Sequence, residues 1–87
     1  MRLNYKYIHF VRAIKQNPKT WIYYVRANPH SKGAYDFLGT IKWFPHWRQY
    51  GFYPEQGTVF EKTCLKDITE VCIELNERQS LRNKKVK

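Results

Sequence analysis

The aromatic residues of this chain are confined to its first two thirds, and this separation constrains the fold more than any other feature. All 15 Phe, Trp and Tyr residues lie between Tyr5 and Phe60, and residues 61–87 contain none. Aromatic and β-branched residues favour strands, and here they occur in runs separated by Pro and Gly. The sequence therefore predicts a β-rich region first and a different kind of element after Phe60.

Three strands are predicted within the aromatic region, at residues 21–26, 37–43 and 48–53. A loop at 28–33 separates the first two, and a turn at 44–47 separates the second from the third. Proline favours the second position of such a turn, which is where Pro45 lies. Residues 58–60 either add a short edge strand or lead into the next element.

The beginning of the chain is compatible with two structures. Residues 5–14 have the composition of a strand, which is the interpretation we favour, but Tyr7, Phe10, Val11 and Ile14 also fit one face of a helix. A helix would give the element order α-β-β-β-α of double-stranded RNA-binding domains. The basic helix start that characterises that family is absent here, so the order alone does not assign the chain to it.

After Phe60 the apolar residues change to a helical period. They fall at i, i+1, i+4, i+7, i+8 and i+11, which form one stripe on a helix: Cys64, Leu65, Ile68, Val71, Cys72 and Leu75. The pattern predicts a helix over residues 64–78, with Thr63 as its N-cap and Ile73 outside the stripe. Residues 81–87 are basic and hold little that can be buried, so we expect a frayed tail.

These elements predict a single α+β domain over residues 1–80. Its core is a three- to four-stranded antiparallel sheet with one C-terminal amphipathic α-helix packed on one face. A chain of 87 residues leaves no room for a second domain of ordinary size. It holds no apolar run of the ~18 residues that a membrane span requires and no signal peptide. We therefore expect a cytoplasmic protein that does not contact a membrane.

Side-chain alternation gives the predicted sheet two different surfaces. A turn centred on Pro45 and His46 pairs Ile41 with Tyr50 and Lys42 with Gln49. The predicted core face then carries Trp21, Tyr23, Val25, Ile41, Trp43, Tyr50 and Phe52. The opposite face carries Ile22, Tyr24, Arg26, Thr40, Lys42, Gln49 and Tyr53, with Phe44 and Trp47 at the turn. One helix covers only one side, so the second face is expected to be an exposed binding surface.

The net charge of +9 is distributed unevenly along the chain. Residues 1–53 hold nine basic residues and one acid, residues 54–77 hold two basic residues and six acids, and residues 78–87 hold five basic residues and no acid. The basic region before residue 54 is also the aromatic region. Cations that meet phosphate and rings that stack on bases are typical of nucleic-acid binding.

Residue patterns for catalysis and metal binding are missing. Asp36 is the only carboxylate before Glu55, so a paired-carboxylate site is not expected. No His or Cys spacing matches a zinc site, and no Gly-rich loop is present to hold a phosphate. Cys64 and Cys72 lie about 12 Å apart along the predicted helix and cannot form a disulfide with each other. We expect reduced core cysteines, no cofactor and no enzymatic activity.

A specific motif covers residues 38–55 and reads LGTIKWFPHWRQYGFYPE, and CLKDI follows at residues 64–68. This pattern resembles small uncharacterised proteins of bacteriophages and prophages, which carry LGxIKWxxxWRxYxFxPE followed by a CLxDI helix start. The resemblance covers about residues 20–77 and implies a phage setting in a bacterial host, without a mechanism. In architecture, the predicted sheet and helix are also similar to the amino-terminal domain of phage-type integrases and to the plant ethylene-response DNA-binding domain.

Two functions fit these observations. The first is nucleic-acid binding, DNA in preference to RNA, through the exposed basic and aromatic sheet face. The second is a protein-interaction module that binds or inhibits a host protein with an acidic surface, because Trp, Tyr and Arg dominate protein interfaces. In both cases the candidate contacts on the face are Tyr24, Arg26, Lys42, Trp47 and Gln49, and Arg12 and Lys19 add attraction from outside it.

Overall fold

A computed structural model describes residues 1–14, 19–29 and 36–85, with side chains as far as Asn83. The chain forms four strands and one helix: β1 (Ile8–Arg12), β2 (Tyr23–Ala27), β3 (Phe37–Phe44), β4 (Gln49–Pro54) and α1 (Lys62–Lys85). The strands form one antiparallel sheet in the order β1-β2-β3-β4. The predicted α+β class is therefore confirmed. Most of the predicted loop at 28–33 and the last two tail residues lie outside the described residues.

The ambiguous first segment is a strand, as favoured. The chain before it folds back along the outer edge of β1, where Asn4 forms a bridge with His9 and the backbone N–H of Phe10 donates to the carbonyl of Leu3 at 2.8 Å. The Asn28 side chain fastens this turn to the end of β2, because its Nδ2 donates to the Tyr5 carbonyl at 2.7 Å. Residues 58–60 form no strand and lead into α1.

The pairing of β3 with β4 differs from the predicted register by two residues. Tyr50 lies opposite Trp43, and Ile41 lies opposite Phe52. The turn consists of residues 45–48, one position later than expected, and its last residue, Arg48, has the left-handed φ of 52°. A shift by an even number of residues leaves every side chain on its predicted face. The register was thus wrong, while the division into two faces holds.

The pairing of β2 with β3 contains a β-bulge. Val25 pairs with Gly39, whereas the next residue, Arg26, pairs with Phe37. Leu38 therefore has no counterpart in β2. Gly39 leaves no space for a side chain beside β4: a Cβ atom there would lie 2.6 Å from both Phe52 Cε1 and the Tyr53 carbonyl oxygen. The position therefore requires glycine for steric reasons.

The hydrophobic core lies between the sheet and α1. Its buried members on the helix are Ile68, Val71 and Leu75, and its buried members on the strands are Ile8, Phe10, Tyr23, Val25, Ile41 and Tyr50. Trp21, Trp43 and Phe52 are partly buried against this cluster, so the predicted core face is confirmed. Leu65 was expected in the helical stripe but is 48% exposed.

The helix is longer than the sequence pattern predicted. It begins two residues early, because Glu61 rather than Thr63 caps it: Glu61 Oε1 accepts the Cys64 N–H at 2.7 Å. The backbone N–H groups of Cys64 and Thr63 lower the pKa of the Glu61 carboxyl, since they stabilise its charged form. The helix continues to Lys85, so residues 81–85 of the expected tail are helical.

One buried hydrogen-bond network attaches the helix to the sheet. The Tyr50 hydroxyl donates to Gln79 Oε1 at 2.7 Å and accepts the Trp21 N–H at 3.0 Å. Gln79 Nε2 in turn donates to the Lys19 carbonyl at 3.0 Å. The Tyr50 N–H donates to Asn76 Oδ1 at 2.7 Å. Burial raises the pKa of the Tyr50 phenol above its usual 10.0, so the hydroxyl remains a neutral donor.

Replacing Tyr50 with Phe is expected to destabilise the protein by about 2 kcal/mol, because Gln79 and the Trp21 N–H both lose a partner in a buried region. Urea denaturation measures the change. Tyr53→Phe is the matched control, since the Tyr53 hydroxyl makes no hydrogen bond with any described residue; we expect a change within ~0.5 kcal/mol. Equal effects of the two variants would contradict the importance of the network.

Gly39→Ala is expected to destabilise the protein by about 3 kcal/mol or more, because the new methyl group collides with the backbone of β4 and the Phe52 ring. Gly51→Ala places the same methyl group on the neighbouring strand, where the nearest atom, Phe44 Cβ, would lie at an ordinary 3.7 Å. We expect this control to change stability by less than ~1 kcal/mol. Thermal denaturation of both variants compares them directly, and equal midpoints would refute the steric argument.

Candidate nucleic-acid interface

The sheet surface opposite α1 is not covered by any described element, and we call it the helix-free face. Its residues alternate along each strand with the buried core residues. They are His9, Val11, Tyr24, Arg26, Phe37, Thr40, Lys42, Phe44, Gln49 and Tyr53. The register aligns Val11, Tyr24, Thr40 and Tyr53 in one row across all four strands. The structure therefore brings together four of the predicted contacts, Tyr24, Arg26, Lys42 and Gln49.

The fifth predicted contact, Trp47, lies in an aromatic cluster at the β3–β4 turn. Its ring packs edge-on against Phe44, with the centroids 4.9 Å apart, yet 72% of the residue is exposed. Phe44 also contacts the Tyr53 ring, at 6.4 Å between centroids. Lys42 Nζ lies 4.5 Å from the centre of the Tyr53 ring. This end of the face thus combines a protruding indole with a cation held close to an aromatic surface.

A second pair of exposed rings lies at the other end of the face. Tyr24 is 40% exposed and packs edge-on against Phe37, with centroids 5.8 Å apart. These two residues, Arg26 and Asp36 line a shallow depression of about 320 Å³. Val11 lies beside Tyr24 in the next strand and is also exposed. The surface here is mostly apolar.

The positive charge of the helix-free face is smaller than the sequence suggested. Arg26 forms an ion pair with Asp36, in which both side chains are about half exposed or more. Among the described residues of the face, Lys42 is therefore the Arg or Lys residue whose positive charge no carboxylate neutralises. The ion pair is accessible to solvent, so a polyanion competing for Arg26 has little desolvation to overcome.

The remaining two predicted contacts lie away from this face. Arg12 is the last residue of β1 and pairs with Tyr23, on the side of the strand that Phe10 occupies. Lys19 lies beside the C-terminal half of α1, where its carbonyl accepts the Gln79 amide. Both residues are exposed. Neither residue therefore belongs to the helix-free face.

A groove that the sequence did not suggest lies between the β3–β4 turn and the C-terminal half of α1; we call it the end groove. It encloses about 700 Å³ and is lined by Trp43, Arg48, Asn76, Gln79, Ser80 and Asn83, among others. A second depression, of about 430 Å³, shares Trp43, Gln79 and Asn83 with it and adds Lys19 and Lys42. Lys42, a residue of the helix-free face, therefore also lines the depression beside the groove.

The sequence did contain a signal for this groove. Asn76, Ser80 and Asn83 are polar, uncharged residues at i, i+4 and i+7, which place them on one side of a helix. They continue the helix beyond the apolar stripe that ends at Leu75. Because the predicted helix ends at residue 78, Ser80 and Asn83 fall outside it, and the sequence pattern predicts no groove there.

The directions of the elements collect basic residues at one end of the molecule. This end contains the last residue of β1, the first residue of β2, the β3–β4 turn and the end of α1. It carries Arg12, Lys19, Arg48 and Arg82. Arg82 lies over the Trp21 ring, 5.2 Å from its centre. Among the described residues, four basic side chains are therefore gathered at the end that holds the end groove and the Trp47 cluster.

Within the described residues, no group of three or more His, Cys, Asp or Glu side chains is arranged to hold a metal ion. No helix in the described ranges has the length and apolar character that spanning a membrane requires. Burial raises the pKa of the Cys72 thiol to about 11, so the thiol is protonated at neutral pH.

Comparison with known proteins found no matching family model, no matching curated protein and no matching solved structure. The resemblance to phage-encoded proteins stays a prediction, because no finding tests it. The helix-free face and the end groove are therefore the observations on which a functional proposal rests.

Proposed function

We propose that this chain binds single-stranded nucleic acid, DNA in the first instance, on the helix-free face of its sheet. The observation that carries the proposal is the set of exposed rings on that face, Tyr24 and Phe37 at one end and Trp47 at the other. Bases stack on such rings without regard to sequence. An exposed aromatic surface beside basic residues is the combination that a flexible polyanion with planar bases requires.

The dimensions of the face support a single strand over a duplex. Four strands at ~4.8 Å spacing place β1 and β4 about 14 Å apart before side chains are added. The major groove of B-DNA is only ~12 Å wide and admits a two-stranded ribbon or a helix. A single strand can instead cross the whole sheet. Along β3, the distance from Thr40 to Phe44 is about 13 Å, which leaves room for several nucleotides.

In this arrangement the residues have separate roles. Trp47 and Tyr24 offer rings to the bases, and Gln49 offers an amide to a base edge or a phosphate. Lys42 and Arg26 neutralise phosphates. The basic end, with Arg12 and Lys19, draws the polyanion toward the sheet. Because few cations contact phosphate directly, stacking contributes a larger share of the affinity than in most duplex-binding domains.

One specific observation favours the second candidate, a protein partner. Val11, Tyr24 and Phe37 form an apolar surface whose nearest arginine, Arg26, is already neutralised by Asp36. Exposed apolar patches with aromatic anchors are typical of protein interfaces. Pull-down from a nuclease-treated bacterial lysate separates the two functions. Recovery of one stoichiometric protein whose binding Tyr24→Ala abolishes would support the second candidate.

Trp47→Ala is expected to weaken binding of a fluorescently labelled oligo-dT strand about tenfold, because one base loses its stacking partner. Fluorescence anisotropy at low salt measures the affinity. Val59→Ala is the control, since Val59 is 91% exposed but lies outside the helix-free face; its affinity should stay within twofold of the unmodified protein. Failure to bind oligo-dT or single-stranded RNA at low salt would contradict the proposed function, and so would equal affinities of the two variants.

Asp36→Asn is expected to strengthen oligonucleotide binding by about threefold at low salt, because Arg26 loses its competing carboxylate. Glu77→Gln removes the same charge from an exposed position on α1, outside the face, and should change affinity by less than about twofold. Both variants are compared in the same anisotropy titration. An equal gain in both would show that only net charge matters and that Arg26 does not contact the strand.

A further inference from the structure

The end groove carries chemistry that the stacking face does not use. It is lined by hydrogen-bond donors from two elements, the Arg48 guanidinium from the turn and the side chains of Asn76, Ser80 and Asn83 from α1. Asn76 and Asn83 each accept a hydrogen bond through Oδ1, from the Tyr50 N–H and from Gln79 Nε2. Neither Nδ2 group, nor the Ser80 hydroxyl, has a partner among the described residues. These donors are therefore available to a ligand.

The charge of the groove selects anions. The described residues that line it and the adjoining depression include three cations, Lys19, Lys42 and Arg48, and no carboxylate. The nearby ion pair of Arg78 with Glu74 belongs to another side of the helix and lines neither cavity. A guanidinium surrounded by amide and hydroxyl donors is suited to a phosphate group, which offers several acceptor oxygens.

The groove also has an aromatic side. Trp43 lines both cavities and is only partly buried, and its ring is held edge-on against Tyr50 at 5.3 Å between centroids. The volume of about 700 Å³ lies within the ~300–1,000 Å³ typical of small-ligand sites. The groove thus has room for a base and sugar as well as a phosphate, and it offers an indole for the base to contact.

Arg48 occupies a conformation that its residue type disfavours. Its φ of 52° is left-handed, which costs a residue other than glycine about 1–2 kcal/mol. Glycine would fit this turn position without strain. The chain instead places a long cation here, at the mouth of the groove. A strained position of this kind suggests a role for the side chain beyond the turn.

We infer that the end groove binds the 5′-phosphate of a nucleotide, with Arg48 as the principal contact and Asn76, Ser80 and Asn83 as further donors. The nucleotide is either a free nucleoside monophosphate or the 5′ end of a bound strand. The second source rests on the proposed function, because the strand then continues past Lys42 onto the helix-free face. The free nucleotide requires only the groove.

NMR titration of the ¹⁵N-labelled full chain tests this inference with two matched pairs of probes: AMP and adenosine, and a short oligo-dT strand with and without a 5′-phosphate. We expect AMP to shift the side-chain amide signals of Asn76 and Asn83 and the backbone signal of Arg48, and adenosine to leave them unchanged. If the strand end is a ligand, the 5′-phosphorylated strand shifts the same signals and the unphosphorylated strand does not. Groove shifts with AMP alone assign the free nucleotide.

Arg48→Asn removes the cation and keeps a residue that tolerates the left-handed region. We expect it to weaken AMP binding about tenfold, the effect of losing one charge-assisted hydrogen bond. Arg48→Lys restores the charge and should recover part of the affinity. Arg78→Asn removes the same charge from a helix surface outside the groove and should change affinity by less than about twofold.

The inference is overturned if AMP and adenosine shift the groove signals equally, if AMP shifts only the signals of Tyr24 and Trp47, or if Arg48→Asn binds AMP as well as Arg78→Asn. These results are separable from a failure of the proposed function. If the unphosphorylated strand binds and Trp47→Ala weakens it while AMP leaves the groove unchanged, only the groove assignment fails. If AMP occupies the groove and no strand binds, only the proposed function fails.

Discussion

The Tyr50 hydroxyl joins three segments of the fold, which are β4, α1 and the residues before β2. It belongs to β4, donates to Gln79 on α1 and accepts from Trp21, which precedes β2. The Asn76 side chain adds a second connection, to the backbone of the same tyrosine. These bonds fix the C-terminal half of the helix on one side of the sheet. The other side is left uncovered for that reason, and the end groove exists because the helix is held beside the β3–β4 turn.

The two faces of the sheet could be predicted from sequence even though the register could not. Alternation has a period of two, so an error of two residues in pairing Ile41 or Trp43 left each side chain on its correct face. The error arose at the turn, where Arg48 takes a left-handed conformation that side-chain type does not reveal. Strand β1 was predicted from composition alone. Its aromatic and β-branched residues favour a strand slightly more than the spacing of its apolar residues favours a helix.

The details of the site were less accessible to sequence reasoning than the faces. The pairing of Arg26 with Asp36 depends on the bulge at Leu38, which turns Phe37 toward Tyr24 and brings the carboxylate within reach. The end groove depends on helical residues beyond the last apolar position, Leu75, where periodicity no longer gives a signal. Both features arise from the tertiary arrangement. The ion pair makes the helix-free face less positive than the sequence suggested, and the groove gathers cations at one end of the molecule.

The cations at that end have a simpler explanation that applies to only some of them. The C-terminus of a helix carries a partial negative charge, and basic side chains in its last turn stabilise it without any ligand. This accounts for Arg82. The same side chain also makes a structural contact with the Trp21 ring. The helix charge does not account for Arg48 or Lys42, which belong to the β3–β4 hairpin and flank a groove that contains no carboxylate among its described residues. Arg48 in particular holds its place against a backbone cost, so the chemistry of the end groove, and not the stability of α1, is the better explanation of its charge.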